Sequence, residues 1–179
     1  MNLGLLSVSF SSLRSGSPSE LVARSLNNIT TDNQEHSFLQ IDLNEDKTVL
    51  PASYSLRNRP STTHCLSNWV LEGSTDGHQF YVLDQRVHHT QDVNYNHLMA
   101  PMQAQLTTKA AVNTFHLDPN KVSQVLSTAN SAAPPHHHAQ GFRTFRLLQL
   151  FKNTHNTYNM CLSNLELYGR AFGTGFNLP

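Results

Sequence analysis

The chain has 179 residues and no formal net charge, with charged side chains at only 13%, against roughly a quarter in ordinary soluble domains. That length suits one domain with its own core. The balance excludes the basic stripe of a nucleic-acid binder, and no apolar run nears the roughly 20 residues that span a bilayer.

Met1 to Phe10 is apolar but lacks a basic n-region and a persuasive cleavage site, so it reads as a strand rather than a signal peptide. Leu5 to Leu13 alternates as a first strand. Ser17-Pro18-Ser19-Glu20 supplies an N-cap, a proline at the first helical position and a glutamate three residues after the cap. That is a capping box opening a short helical turn over Leu21 to Arg24. Asn28-Ile29-Thr30 matches a glycosylation sequon, which without export is chance. Ser37 to Leu43 alternates again, and Val49 to Arg57 is a further strand with Pro51 near its start, where a missing donor is tolerated.

Asn68 to Phe80 carries the clearest local signal. Trp69 to Gly73 and Phe80 to Asp84 alternate on either side of Asp76-Gly77, and glycine can take the positive φ of a hairpin turn. Arg86 to Ala111 weakens into a polar loop, and Asn113 to Leu117 recovers alternation. Asp118-Pro119 can cap a short helix through Leu126. Ser127 to Gln140, rich in Ser, Ala, Pro and His, reads as an insertion. Arg143 to Phe151 and Asn164 to Gly169 are the last two strands. About eight short strands with little helix predict an all-β, antiparallel sandwich. Residues 1–170 form it, with loop insertions at 86–111 and 120–140 and a tail at 171–179. The expected core includes Trp69, Leu71, Phe80, Val82, Leu147 and Leu167.

Four motifs in order carry a resemblance: Gly16 to Val22 before the Phe38–Leu43 strand, Pro51 to Arg57, Asn68-Trp69, and Leu162-Ser163-Asn164-Leu165-Glu166-Leu167-Tyr168-Gly169. Together they resemble the discoidin-like (coagulation factor type C, galactose-binding-like) modules of large HECT-type ubiquitin ligases and BTB-domain proteins. The resemblance implies a jelly-roll β-sandwich with one or two short helices. It covers roughly Leu6 to Arg170 apart from the two insertions. Phe38, Phe80 and Phe115 stand where the family tends to carry tryptophan, which keeps an aromatic ring for the core. Asn164 replaces a family glycine, an exchange that suits a positive-φ position. Galactose- and lipid-binding relatives use loop spikes with aromatic tips, and the sequence shows no equivalent spike.

Candidate site chemistry is sparse. His136-His137-His138, with His88-His89 and His97, invites a metal reading, but consecutive histidines in a Pro/Ala-rich loop do not converge tetrahedrally. Asp42 and Asp76 are the residues that would serve calcium, although a turn accounts for Asp76 and loop-end hydrogen bonding for Asp42. Arg57 and Arg146 are expected to pair with carboxylates such as Glu72 or Glu166. Cys65 and Cys161 make a poor disulfide framework and read as reduced thiols. His64 and Cys65, adjacent in a strand, point apart and do not form a reactive pair. No Gly-x-Ser-x-Gly elbow occurs, and neither an enzyme nor a cofactor is expected.

The resulting expectation is a non-catalytic protein-interaction module. It would be an adaptor or structural subunit of a larger cytoplasmic, cytoskeletal or ciliary assembly, not secreted. It would bind a protein or peptide partner through loops at one end. Met99, Pro101 and Met102, with His136, His137 and His138, are its candidate contacts, since methionine packs adaptably on irregular surfaces. Nucleic acid, a membrane span and a glycan or small-molecule ligand are not expected. Two alternatives stand beside it: a carbohydrate- or lipid-binding lectin-like domain, and a substrate-recruiting component of a ubiquitin-ligase complex.

Overall fold

The computed structural model describes residues 6–24, 26–44, 46–87, 106, 108–132 and 139–173. The strands in chain order are β1 (Leu6–Phe10), β2 (Ile29–Thr30), β3 (Phe38–Leu43), β4 (Thr48–Asn58), β5 (Asn68–Ser74), β6 (Tyr81–Val87), β7 (Val112–His116), β8 (Thr144–Gln149) and β9 (Cys161–Phe172). One sheet runs β1-β3-β8-β5-β6 and the other β2-β9-β4-β7, with every pairing antiparallel. The antiparallel all-β sandwich expected from the sequence is the architecture observed.

Alternation sorts the faces. Leu39, Ile41, Trp69, Leu71, Phe145 and Leu147 line the inner face of the first sheet, and Tyr54, Leu56, Phe115 and Leu165 that of the second. Each is nearly inaccessible to solvent, so hydrophobic burial holds the two layers together. Between them runs a chain of polar contacts. The Trp69 indole donates to the Tyr54 hydroxyl at 2.9 Å, and that hydroxyl donates to Asp84 at 2.8 Å. Asp84 pairs with Arg86, also at 2.8 Å. Tyr54 stacks on Phe115 at 5.0 Å, and the Trp69 ring meets Phe115 edge-on at 5.3 Å.

A register shift between Leu71 and Glu72 corrects the expected core. Past this irregularity Leu83 turns inward and is buried, while Val82 lies opposite Glu72 and is 37% exposed. Phe80 also leaves the core: the Arg146 guanidinium sits 3.9 Å from its ring centroid and 5.6 Å from that of Phe38. Arg146 holds Glu72 at 2.6 Å, the expected pairing, whereas Glu166 takes Arg24 rather than Arg57. Phe115 alone of the three phenylalanines joins the deep core. Leu167 is partly buried against it.

The capping box forms as expected at a 3-10 helix, Pro18–Val22, where the Glu20 carboxylate accepts the Ser17 N–H at 2.7 Å. Asn164 has no positive φ; it is extended in β9, and its amide donates to the Leu21 carbonyl at 2.8 Å. A glycine is needed at position 169 instead, where a Cβ would run into the Leu50 carbonyl. The insertion expected at 120–140 is largely α1 (Pro119–Ala132). Asp118 accepts the Asn120 N–H at 2.9 Å. The hydroxyls of Ser123, Thr128 and Ser131 bond back to carbonyls one turn earlier, letting a polar stretch stay helical. Val122, Val125, Leu126 and Ala129 give it a buried stripe. The insertion expected at 86–111 falls mostly outside the described residues, but Leu106 is fully buried in the core.

The shifted register has a measurable consequence. Leu83→Ala should cost about 2–5 kcal/mol by urea denaturation, while Val82→Ala should stay within about 0.5 kcal/mol. Equal costs, or the reverse order, would place the register one residue away.

Candidate functional site

The two ends of the sandwich differ in how their loops are built. One end holds the β5–β6 hairpin, α1 and the β3–β4 connection. There Asp76 Oδ1 accepts the Ser74 hydroxyl and the N–H groups of His78 and Gln79 at 2.8–2.9 Å. Burial alone would push the Asp76 carboxyl up, but these bonds outweigh it and hold the pKa below the ordinary value. Gly77 takes φ +80° beside it. Asp42 accepts the Thr144 hydroxyl at 2.7 Å. Arg143 stands between the two aspartates, its Nε 3.5 Å from Asp42 and its Nη2 donating to the Asp76 carbonyl at 3.0 Å. A guanidinium therefore occupies the space a cation between Asp42 and Asp76 would need. Among the described residues, no three His, Cys, Asp or Glu side chains come together.

The opposite end is assembled from residues 11–17, 31–37, 59–67 and 150–160, with 108–110 beside them. Asn153 organises the last of its long loops. Its Oδ1 accepts the N–H of His155 at 2.8 Å, and its Nδ2 donates to Thr157 Oγ1 and to the Asn159 carbonyl. The loop is then tied to its neighbours. Tyr158 N–H donates to Asn33 Oδ1, Asn159 Nδ2 to the Thr31 carbonyl, and Cys65 N–H to Thr154 Oγ1, at 2.8–3.0 Å. Four of the five described non-glycine residues with positive φ (His36, His64, Ala110 and Asn156) lie at this end. Such conformations cost of order 1–3 kcal/mol each and cluster at ligand sites.

This scaffold presents a defined set of side chains. The His64 and His155 rings stack at 4.8 Å, and the His64 backbone N–H donates to His155 Nδ1 at 3.1 Å. When neutral, His155 therefore carries its proton on the exposed Nε2. His64 Nδ1 is buried without a partner among the described residues, and its pKa is pushed down by burial and then by the charges of His155, Arg59 and Arg14. Tyr158 hydrogen-bonds the Glu35 carboxylate, which raises the phenol's pKa, and Lys152 lies 5.6 Å from its ring. Arg59 follows the end of β4, where the buried Asn58 amide fixes the turn through Cys65 Sγ and the Thr108 carbonyl.

Sequence reasoning missed this cluster. His64 was weighed only beside Cys65, a buried free thiol like Cys161. The sequence showed no aromatic-tipped spike; residues 150–160 carry Tyr158, half-buried, in the loop between β8 and β9. The usable signal was the run Asn153-Thr154-His155-Asn156-Thr157-Tyr158-Asn159, a turn-forming polar stretch with one aromatic between two strands. Met99, Pro101, Met102, His136, His137 and His138, with His88, His89 and His97, lie outside the described residues.

Neither a protein-family model nor a curated protein sequence matches the chain. Solved structures do resemble it in fold. The module CpGH89CBM32-5 of Clostridium perfringens, in complex with GalNAc-β-1,3-galactose, matches with a TM-score of 0.61 at 9% identity, over 92% of this chain and 95% of that one. The lectin domain of lectinolysin with Lewis B antigen gives 0.57 at 16% identity, over 93% and 94%. The CBM32 of AlyQ with 4,5-unsaturated mannuronic acid gives 0.57 at 9%, over 94% and 98%. The fold is thus discoidin-like and galactose-binding-like, as the resemblance implied.

These comparisons correct the functional expectation. The neighbours are carbohydrate-binding modules and a lectin domain, solved with glycans. This goes against a protein-interaction subunit of a cytoskeletal or ciliary assembly, and against setting a glycan ligand aside. The sequence motifs reported the sandwich, and a sandwich alone does not fix the ligand.

His64 yields a pH prediction. Its folded pKa lies below the unfolded value near 6.5, so the folded state resists protonation there. The stability it contributes is complete above the unfolded pKa and is lost as pH falls through the folded pKa. Replacing it by Asn, which tolerates φ +59°, should flatten the stability decline between about pH 7 and pH 5 in urea titrations. Parallel curves for both proteins would refute the assignment.

Proposed function

We propose that the chain is a carbohydrate-binding domain whose ligand docks on the end built from residues 11–17, 31–37, 59–67 and 150–160. The observation that carries this is the rigid arrangement there of ring faces (Tyr158, His155) beside planar hydrogen-bonding groups (Asn33, Glu35, Arg59). A sugar offers hydroxyls that both donate and accept, and C–H faces that pack on rings. A shallow surface with one or two rings and fixed polar groups fits that chemistry. Prior ordering of the loops removes much of the entropy that binding would otherwise cost. The likeness of fold to modules solved with glycans supports the same reading. The function is binding without catalysis. Kinship with the modules of HECT-type ligases and BTB-domain proteins rests on the sequence motifs at 16–22 with 38–43, 51–57, 68–69 and 162–169 alone.

A glycan array probed with the full chain, followed by calorimetry on the hits, tests the proposal. Tyr158→Ala should weaken binding by about 2 kcal/mol with the melting temperature little changed, because the ring is half-exposed. A blank array, or unchanged affinity in a folded Tyr158→Ala protein, would defeat it.

A further inference from the structure

The arginines along the sandwich are unequally matched. Arg86, Arg143 and Arg146 each hold a carboxylate: Asp84, Asp42 and Glu72. Arg59 is half-buried and holds none among the described residues. Its Nη1 reaches only Cys161 Sγ, at 3.7 Å, and its Nε is buried with no partner among the described residues. Burial pushes the Cys161 thiol's pKa up, so the sulfur is neutral and offers a weak acceptor. The backbone around Arg59 is meanwhile fixed: its N–H donates to Asn58 Oδ1 at 2.9 Å, and its carbonyl accepts Ala110 N–H at 3.0 Å. A half-buried guanidinium with no carboxylate partner gains from an external anion.

Two imidazoles join it. His64 Nδ1 is also buried and unpartnered among the described residues, and His155 turns its Nε2 outward from the stack. The depressed pKa of His64 reports burial first, then a field from His155, Arg59 and Arg14 strong enough to resist another proton. Glu35, in the neighbouring loop, is engaged by the Tyr158 phenol.

We propose that the glycan is acidic, its carboxylate or sulfate docking against the half-buried Arg59 guanidinium with the exposed His155 as a further donor. This rests on the carbohydrate reading above and adds the charge class of the sugar. A planar guanidinium edge matches a two-oxygen anion through parallel N–H bonds, which ammonium cannot reproduce. His155 donates from Nε2, since its Nδ1 accepts the His64 N–H.

Calorimetry on the full chain tests this with matched ligands: oligosaccharides of galacturonic, glucuronic and mannuronic acid, sulfated galactan oligosaccharides, and neutral galactose, glucose and mannose counterparts. At least one acidic series should bind roughly 10- to 100-fold more tightly than its neutral match. The series that binds tells carboxylate from sulfate. Arg59→Lys should remove most of that preference while keeping the charge, and His155→Ala, on an exposed loop, should reduce it without altering the fold. Neutral sugars binding as well as acidic ones, with Arg59→Lys and His155→Ala silent in folded protein, would overturn the acidic assignment and leave the carbohydrate reading standing. Failure of every sugar to bind would overturn both.

Discussion

The sandwich depends on a buried polar contact. Tyr54 reaches from the second sheet to accept the Trp69 indole proton and to donate to Asp84, both in the first sheet. Burial, then the Asp84 charge, holds the Tyr54 pKa well above its ordinary value, so the phenol stays protonated and keeps its donor. Directional bonds of this kind fix the sheet spacing where apolar packing alone tolerates sliding. Arg86 neutralises Asp84 and lies 5.3 Å from the Phe115 ring, closing the side of the sandwich between β6 and β7. Each member has its partner, which is what a buried polar network requires.

From that fixed frame the two ends take different courses. At the hairpin end the two aspartates are engaged internally: Asp76 by the N–H groups of its own turn, Asp42 by Thr144 and Arg143. At the other end the backbone is held by side-chain amides and hydroxyls, while Arg59 holds no carboxylate among the described residues. The strain stored in His64, His36 and Asn156 belongs to the same design, because ordered loops present their side chains in one arrangement. The frame therefore ties one set of loops together by side-chain hydrogen bonds, at the end proposed to bind.

How much of this was legible follows from where the information sits. Strands β3, β4, β5, β8 and β9 could be read because alternation and turn chemistry are local. The displacement of Val82 by Leu83 could not, since the irregularity at Leu71–Glu72 depends on the pairing of two strands. The second half of α1 was hidden because its serines and alanines resemble a loop until their hydroxyls find carbonyls one turn back. The candidate site was least legible of all. Arg14, Asn33, Arg59, His64, His155 and Tyr158 come from four separate loops, and only the folded β4, β8 and β9 ends gather them. Motif resemblance reported the sandwich but carried no information on these loop residues.

In the proposed function, the loops at 31–37, 59–67 and 150–160 form the binding surface. Amide chemical-shift mapping of the labelled chain, titrated with acidic and neutral oligosaccharides, tests it most directly. The account predicts saturable shifts at Asn33, His64, His155 and Tyr158, with the hairpin at Asp76 and Gly77 unmoved. Shifts confined to the hairpin and α1, or none at any sugar concentration, would contradict it.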